Sequence, residues 1–278
     1  MGTTELNVFT NGFDGMPCTI AGKTPRYVKW VYRRENFDGI TLFEDGDMYS
    51  GVVEKTKSRW KVGWLNEPRE LHPENYERIG QVREKLDMIL TSDKGLLDSG
   101  MQFVQCIRGG VWPVRALWGM DAKTDDICAF VTAKDATSWH KMRRAVAKHI
   151  LIDALDARVP GWTMERGWEL MARYRFAVVC APRDYYFLSE AILNPIALGC
   201  IPVFNGAQGV DEYLNMAGII TWSTLEELDD ILPTLTAERY EAMSIHAEDN
   251  LARIEQFEIP EDWMILNPLE TLIEESDL

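Results

Sequence analysis

The 278-residue sequence contains no run of the roughly 18 to 20 apolar residues that a membrane-crossing helix needs. Its first residues, Met1-Gly2-Thr3-Thr4-Glu5, lack the basic and apolar regions of a secretory signal. A soluble, cytoplasmic protein is the expectation. Cysteine is scarce: Cys18, Cys106, Cys128, Cys180 and Cys200 are five in number, widely spaced and without a Cys-x-x-Cys pair. That pattern argues against a disulfide framework and gives zinc no ligand spacing, so buried free thiols are expected. The four histidines, His72, His140, His149 and His246, make no ligand pair at helical spacing. Also missing are the strand-Gly-x-Gly-x-x-Gly-helix of dinucleotide folds, a phosphate loop ending in Gly-Lys-Ser/Thr and a Gly-x-Ser-x-Gly elbow. These absences argue against an NAD enzyme, an NTPase and a zinc hydrolase.

Basic charge is short as well, with 29 Lys and Arg against 44 Asp and Glu, a formal charge of −15. The deficit is local. From Thr224 onward there are 16 acids and two arginines, which leaves 28 acids and 27 bases in residues 1–223. A near-neutral body with an acidic helical flank follows, and the flank would repel an extended nucleic acid. We expect the acidic helices to pack along the C-terminal domain or to reach back to the first, with their carboxylates facing water.

What is abundant is apolar and aromatic material: 46% of the chain is hydrophobic, with ten Trp, ten Phe and nine Tyr. That supports one large core or two ordinary ones and excludes disorder as a description of the whole. Short β-rich runs alternate with amphipathic stretches, the pattern of α/β layers with a mainly parallel sheet. Strands are expected at 6–10, 40–43, 60–65 and 88–91, with helices at 27–34 and 73–86. After the Gly- and Pro-containing connection at 108–113 come strands at 127–132, 176–180, 201–204 and 218–222, with helices at 138–155 and 189–198. Helices at 225–232, 237–257 and 261–275 finish the chain. The expected domains are 1–108 and 109–278, two Rossmann-like units with a cleft between them.

Five stretches carry chemistry. Asp45-Gly46-Asp47 follows an apolar run and could hold a divalent metal, but Asp-Gly between extended runs is also a strong turn signal, the reading favoured here. In Trp64-Leu65-Asn66-Glu67-Pro68-Arg69 a buried strand ends in a carboxylate and a proline. Open α/β sheets place ligands at such strand ends, so Glu67 is a candidate general base; the alternative is a loop carboxylate paired with Arg69. The helix beginning Ser138-Trp139-His140-Lys141-Met142-Arg143 puts cations where the helix dipole disfavours them. An anion such as a diphosphate would answer them, with Arg143 binding two oxygens at once; a solvated basic face is the alternative. The run from Tyr174 to Ala191 reads as strand, polar and aromatic loop with Arg183, Asp184, Tyr185 and Tyr186, then a helix with Glu190 in its first turn. The loop aromatics can stack a nucleobase and Glu190 can accept ribose hydroxyls, against the alternative of ordinary packing and capping. Cys200-Ile201-Pro202-Val203-Phe204-Asn205-Gly206 supplies the next strand.

Residues from about 60 to 262 resemble the α-1,3-fucosyltransferase type, glycosyltransferase family 10. The resemblance rests on Trp-x-x-Glu-Pro-Arg at Glu67, His-Lys-Met-Arg at 140–143, Tyr-Arg-Phe followed by Asp-Tyr-Tyr-Phe and Ser-Glu, and Gly-Cys-Ile-Pro-Val ending in Gly206, all in order. It implies an α/β, GT-B-like fold of two Rossmann-like domains facing a cleft, with C-terminal helices. It further implies an inverting transfer, without a catalytic metal or other cofactor, from a nucleotide sugar, a GDP-sugar, to a hydroxyl of a glycan or other acceptor. The N-terminal domain would bind the acceptor and the C-terminal domain the donor. By the same resemblance Glu67 is the base, Arg143 neutralises the departing diphosphate, Glu190 holds the ribose, and Tyr185 or Tyr186 borders the nucleobase. The chain departs from the family at Ala181-Pro182, where Glu-Asn is usual, and at Ala191, where a Lys is usual. That leaves Arg183 or Lys141 to supply the missing charge. Two alternatives remain open: a non-catalytic member that binds a sugar nucleotide or a partner protein, and a metal-dependent GT-A enzyme using Asp45 and Asp47.

Overall fold

A computed structural model describes residues 2–10 and 23–276, so Cys18 lies outside the described residues. These residues form two compact units. The first comprises Met1–Gly110, Asp184–Phe187 and Ile259–Leu278; the second comprises Val111–Arg183 and Leu188–Glu258. The expected division put everything after residue 108 into the second. The chain instead lends a four-residue loop and its last two helices to the first.

The first unit is built from β1 (Thr4–Phe9), β2 (Val28–Tyr32), β3 (Asn36–Glu44), α1 (Val52–Lys55), β4 (Lys57–Trp64), α2 (Pro73–Glu77), β5 (Met88–Thr91), α3 (Lys94–Leu97) and β6 (Phe103–Gln105). Six parallel strands lie in the order β2-β1-β3-β4-β5-β6. Leu6, Val8, Leu42, Phe43, Val62, Trp64, Ile89 and Leu90 are buried, the near-continuous apolar reading of strands covered on both faces. Phe9 stacks on Phe43 with ring centroids 5.3 Å apart, and Met48, Tyr76, Ile79, Val82 and Leu86 complete that core.

Two helix expectations in this unit fail. Residues 28–32 form β2, because Val28 and Val31 are buried at a spacing that also suits a helix, and pairing with β1 decides between the two. The stretch from Pro73 is helical only to Glu77 and continues as two short 3-10 turns, Ile79–Gln81 and Arg83–Lys85. Gly80 and Val82 are poor helix formers, and the tighter turns still bury Ile79, Val82 and Leu86.

The second unit contains β7 (Asp125–Val131), α4 (Ser138–Val146), β8 (Asp153–Asp156), α5 (Met164–Met171), β9 (Tyr174–Cys180), α6 (Glu190–Ala197), β10 (Ile201–Asn205), β11 (Ile220–Thr221), α7 (Leu225–Ile231) and α8 (Ala237–Arg253). Its five parallel strands run β11-β10-β9-β7-β8. The helix expected over 138–155 stops at Val146, and Asp153–Asp156 pairs with β7 as an edge strand instead. No Gly or Pro marks that stop, and only the neighbouring strand reveals it. Helix α5, which the pattern did not separate, is capped by Thr163 and buries Trp168 and Met171 against Cys128 and Leu155. Helix α6 tolerates Pro195 and ends at Gly199, whose φ of +68 favours glycine.

The acidic flank reaches back to the first unit, one of the two expected placements, and departs from expectation in its helix bounds and its burial. Helix α8 passes into a 3-10 turn at Ile254–Phe257. The last stretch is two helices, α9 (Pro260–Leu266) and α10 (Glu270–Ser276), and belongs to the first unit. Its acids do not all face water: Glu261 and Asp262 are buried. The Asp262 carboxylate accepts the backbone N–H groups of Arg26 at 2.8 Å and Tyr27 at 3.0 Å, and Arg26 Nε at 2.9 Å.

Candidate active site

Because every strand of the first sheet is parallel, all the strand ends open on one edge, where such sheets hold ligands. Thr10, Glu44 with Asp45, Asn66 with Glu67, Ser92 with Asp93, and Arg108 stand just beyond or at the ends of β1, β3, β4, β5 and β6. Glu67 Oε1 accepts a hydrogen bond from Arg108 Nη2 at 2.9 Å, with the two side chains 25% and 14% exposed. The Asp45 carboxylate accepts the N–H of Asn66 at 3.1 Å and of Glu67 at 3.3 Å. Tyr76 donates its hydroxyl to the Glu67 carbonyl at 2.6 Å. Glu44 accepts hydrogen bonds from the Thr10 hydroxyl and from Asn66 Nδ2.

Burial pushes the Asp45 carboxyl well above the ordinary carboxylate range, with the charges of Glu44 and Glu67 adding to it. Glu44 is also raised by burial, partly offset by Thr10, Asn66 and Arg108. The Asp45-Gly46-Asp47 stretch opens a 3-10 helix, Asp45–Tyr49, and the positive φ there falls on Asp45 at 44° and not on Gly46 as the turn reading expected. Asp45 caps the next strand's exit and Asp47 pairs with Arg33 at 3.6 Å.

Arg69, the sequence-level partner for Glu67, goes elsewhere. Its Nε donates to Asp93 at 2.8 Å, its guanidinium lies 4.5 Å from the Tyr76 ring centroid, and its N–H donates to Asp184 at 2.8 Å. Burial raises the Asp93 carboxyl, but the Arg69 bond and charge and the Leu96 N–H outweigh it and hold it low. Asp184 is raised by burial. Tyr185 and Tyr186 follow Asp184 into the first unit. Tyr186 donates its N–H to the Ser92 carbonyl, and Lys94 lies 5.7 Å from the Tyr185 ring centroid. The structure groups these two rings with Ser92 and Lys94 in the first unit.

The second unit places Arg143, Arg183 and Glu190 around the exits of β9 and β10, with Lys141 on α4. Thr137 caps α4 and its hydroxyl lies 2.7 Å from His140 Nδ1. Lys141 is exposed, with no ion pair among the described residues, whereas Arg144 pairs with Asp135 at 3.1 Å. Arg143 Nη2 donates to the carbonyl of Cys180, the last residue of β9, at 2.9 Å. Burial pushes the Arg143 pKa down, and the Cys180 thiol and Glu190 carboxylate oppose that shift. Arg183 clasps Asn205 Oδ1 from Nε at 3.3 Å and Nη2 at 3.0 Å, and Nη2 reaches the Ser223 carbonyl at 3.2 Å. Glu190 opens α6 behind the Ser189 cap, half-buried, and its carboxylate takes no hydrogen bond among the described residues. Asn205 pairs in register with Cys180, and both arginines act on the Cys180 thiol, so the two guanidiniums share one strand-end region.

Sequence reasoning missed Arg108, Asp93 and Asn205. Arg108 follows β6, a three-residue strand just before the Gly- and Pro-containing connection, where no strand was expected. Asn205 stood in a quoted motif without a role; the Arg183 fork supplies one.

The two parallel-sheet units and their element order define a GT-B glycosyltransferase architecture, which sets aside the GT-A alternative. No family model and no curated protein matches the sequence. Among solved structures, the chain is similar to an α1,3-fucosyltransferase at a TM-score of 0.58 and 12% identity, over 90% of this chain and 82% of that one. It is also similar to Anabaena HepE in complex with UDP-glucose, at a TM-score of 0.57 and 11% identity, over 84% and 78%. An α-glucosyltransferase in complex with UDP and a 13-mer DNA with a central A:G mismatch matches at a TM-score of 0.53 and 11% identity, over 100% of both chains. At these identities the likeness establishes the fold alone. No described helix is long and apolar enough to cross a membrane.

Proposed function

We propose that the protein is a nucleotide-sugar-dependent glycosyltransferase that transfers a sugar, with inversion and without a catalytic metal, to a hydroxyl of a glycan or other acceptor. The observation that carries this is the second unit's strand-end cluster. Arg143 and Arg183 stand by Cys180, exposed Lys141 sits on the same helix as Arg143, and the unengaged Glu190 carboxylate opens α6. Cations offer charge to a diphosphate, and a carboxylate with both oxygens available suits a ribose diol. The structural neighbours include proteins solved with GDP and with UDP-glucose, which supports a nucleotide-sugar donor. Arg183 takes over the charge that a Lys at position 191 would bring, consistent with a GDP-sugar, fucose among the candidates.

In the first unit Glu67 acts as general base. One of its oxygens is held by Arg108 and Oε2 has no hydrogen bond among the described residues, free to take the acceptor's proton. Tyr185 and Tyr186, which belong to the first unit, line the acceptor side.

Titration calorimetry with GDP and UDP, followed by a donor screen with mass detection of the product, tests this reading. Wild type should bind one nucleoside diphosphate, Arg143→Ala should weaken that binding at least about tenfold, and Glu67→Gln should abolish transfer without changing binding. No binding of either nucleotide by wild type would defeat the proposal. Binding without turnover of any donor would favour a non-catalytic sugar-nucleotide binder.

A further inference from the structure

Glu67 is restrained from four sides. Arg108, after β6, grips Oε1 at 2.9 Å. Asp45, at the exit of β3, takes the main-chain N–H of Glu67 at 3.3 Å and of Asn66 at 3.1 Å, one oxygen to each. Tyr76, on α2, holds the Glu67 carbonyl at 2.6 Å, and Glu44 ties down the Asn66 side chain at 2.5 Å. The following residue is Pro68, so the backbone leaving Glu67 is stiff as well. Of the Glu67 carboxylate, only Oε2 is without a hydrogen bond among the described residues.

We propose that Asp45 and Arg108 are positioning residues for Glu67, fixing its main chain and one carboxylate oxygen so that the other alone is presented to the acceptor hydroxyl. The inference deepens the functional reading above and rests on Glu67 being the base.

The brace comes from three elements: Arg108 after β6, Glu44 and Asp45 at the end of β3, and Tyr76 on α2. Arg69, two residues on, directs its guanidinium to Asp93 and the Tyr76 ring instead. Removing Arg108 or Asp45 frees the carboxylate or the main chain of Glu67 to move, an effect that falls on the placement of the base and hence on rate.

The test measures steady-state glucosyl or fucosyl transfer and, alongside it, the 13C resonance of the Glu67 carboxyl carbon at fixed pH in protein labelled with 13C-glutamate, assigned by its loss in Glu67→Gln. In Arg108→Gln and in Asp45→Asn kcat should fall by about tenfold or more while KM for the acceptor stays within about twofold, because a base displaced by a fraction of an ångström loses rate rather than binding. Both substitutions should also move the Glu67 resonance. Arg108→Lys, which can still donate to Oε1, should restore part of kcat, and a matching melting curve shows that each variant is folded. An unchanged kcat with an unmoved Glu67 resonance in both Arg108→Gln and Asp45→Asn overturns the proposal, as does a loss carried by KM rather than kcat. If Glu67→Gln leaves transfer intact, the reading of Glu67 as base fails while the resonance still decides whether the brace exists.

Discussion

Replacing Asp262 by Ala removes the one acceptor that serves three donors at the start of β2. The carboxylate side chain is 3% exposed and bonds the N–H groups of Arg26 and Tyr27 and the Arg26 guanidinium at 2.8 to 3.0 Å. Each backbone N–H left beside a hydrocarbon stub costs about 1 kcal/mol or slightly more, since its acceptor had been charged. The Arg26 side chain is 64% exposed, so the ion pair adds at most about 1 kcal/mol. Together these give about 3 kcal/mol, a fall of about 6 to 12 °C in Tm for a chain of this size. Asp262→Asn keeps an oxygen for the two amides and loses only the guanidinium bond, so about 1 kcal/mol is expected. Calorimetry measures the total. Because a two-unit chain can unfold in steps, amide exchange of β1 and β2 is the local readout. There Thr4 donates to the Tyr27 carbonyl at 2.8 Å and pairs with Val28. An Asp262→Ala protein that melts with wild type and keeps β1 and β2 protected would refute the view that the acidic C-terminus is part of the first unit's structure.

Gly199→Ala places a Cβ against the Gly119 carbonyl oxygen at a φ of +68 and should cost about 3 kcal/mol, whereas Gly80→Ala, with nothing within 4 Å, should stay within about 0.5 kcal/mol. Equal melting temperatures for the two variants would contradict this. Cys106, Cys128, Cys180 and Cys200 are buried, with burial pushing Cys180 up to about 12 and Cys200 to about 11, so iodoacetamide at pH 8 should label none of the four until denaturant is added. Peptide mapping by mass spectrometry checks it. Asp45 holds its proton more tightly folded than unfolded, so its contribution to stability is greatest below the ordinary carboxylate pKa of about 4 and is lost as pH rises through the raised folded value. Urea unfolding from pH 4 to 8 should therefore show wild type losing ground to Asp45→Asn as pH rises, and a constant difference would show that the burial is not felt.

Much of this was legible in the chain. Strand β5 falls at 88–91 as its apolar run predicts, and β3, β4, β7, β9 and β10 lie within a few residues of their expected places, because strands buried on both faces read as uninterrupted apolar segments. The Ser189 cap and Glu190 mark the start of α6 by local chemistry alone. Glu67 stands three residues past Trp64, the end of β4, where the apolar run gives way to Asn66, Glu67 and Pro68. Where the reading failed, the sequence was compatible with two periods. Val28 and Val31 suit one face of a helix as well as a strand, and residues 147–152 carry no breaker to end α4. Only the neighbouring strand, β1 in one case and β7 in the other, decides between them.

The sequence by itself determined the α/β class, the candidate residues and the uneven charge, since each follows from periodicity, from spacing or from counting. Tertiary structure alone decided the partners. Arg108 rather than Arg69 meets Glu67, Asp184 to Phe187 join the first unit though flanked by the second, and two carboxylates of an otherwise acidic flank are buried at Glu261 and Asp262. Those pairings join residues 41, 115 and 236 positions apart. Only the packing of strands and helices brings such residues together, because no local preference of the chain acts over that separation.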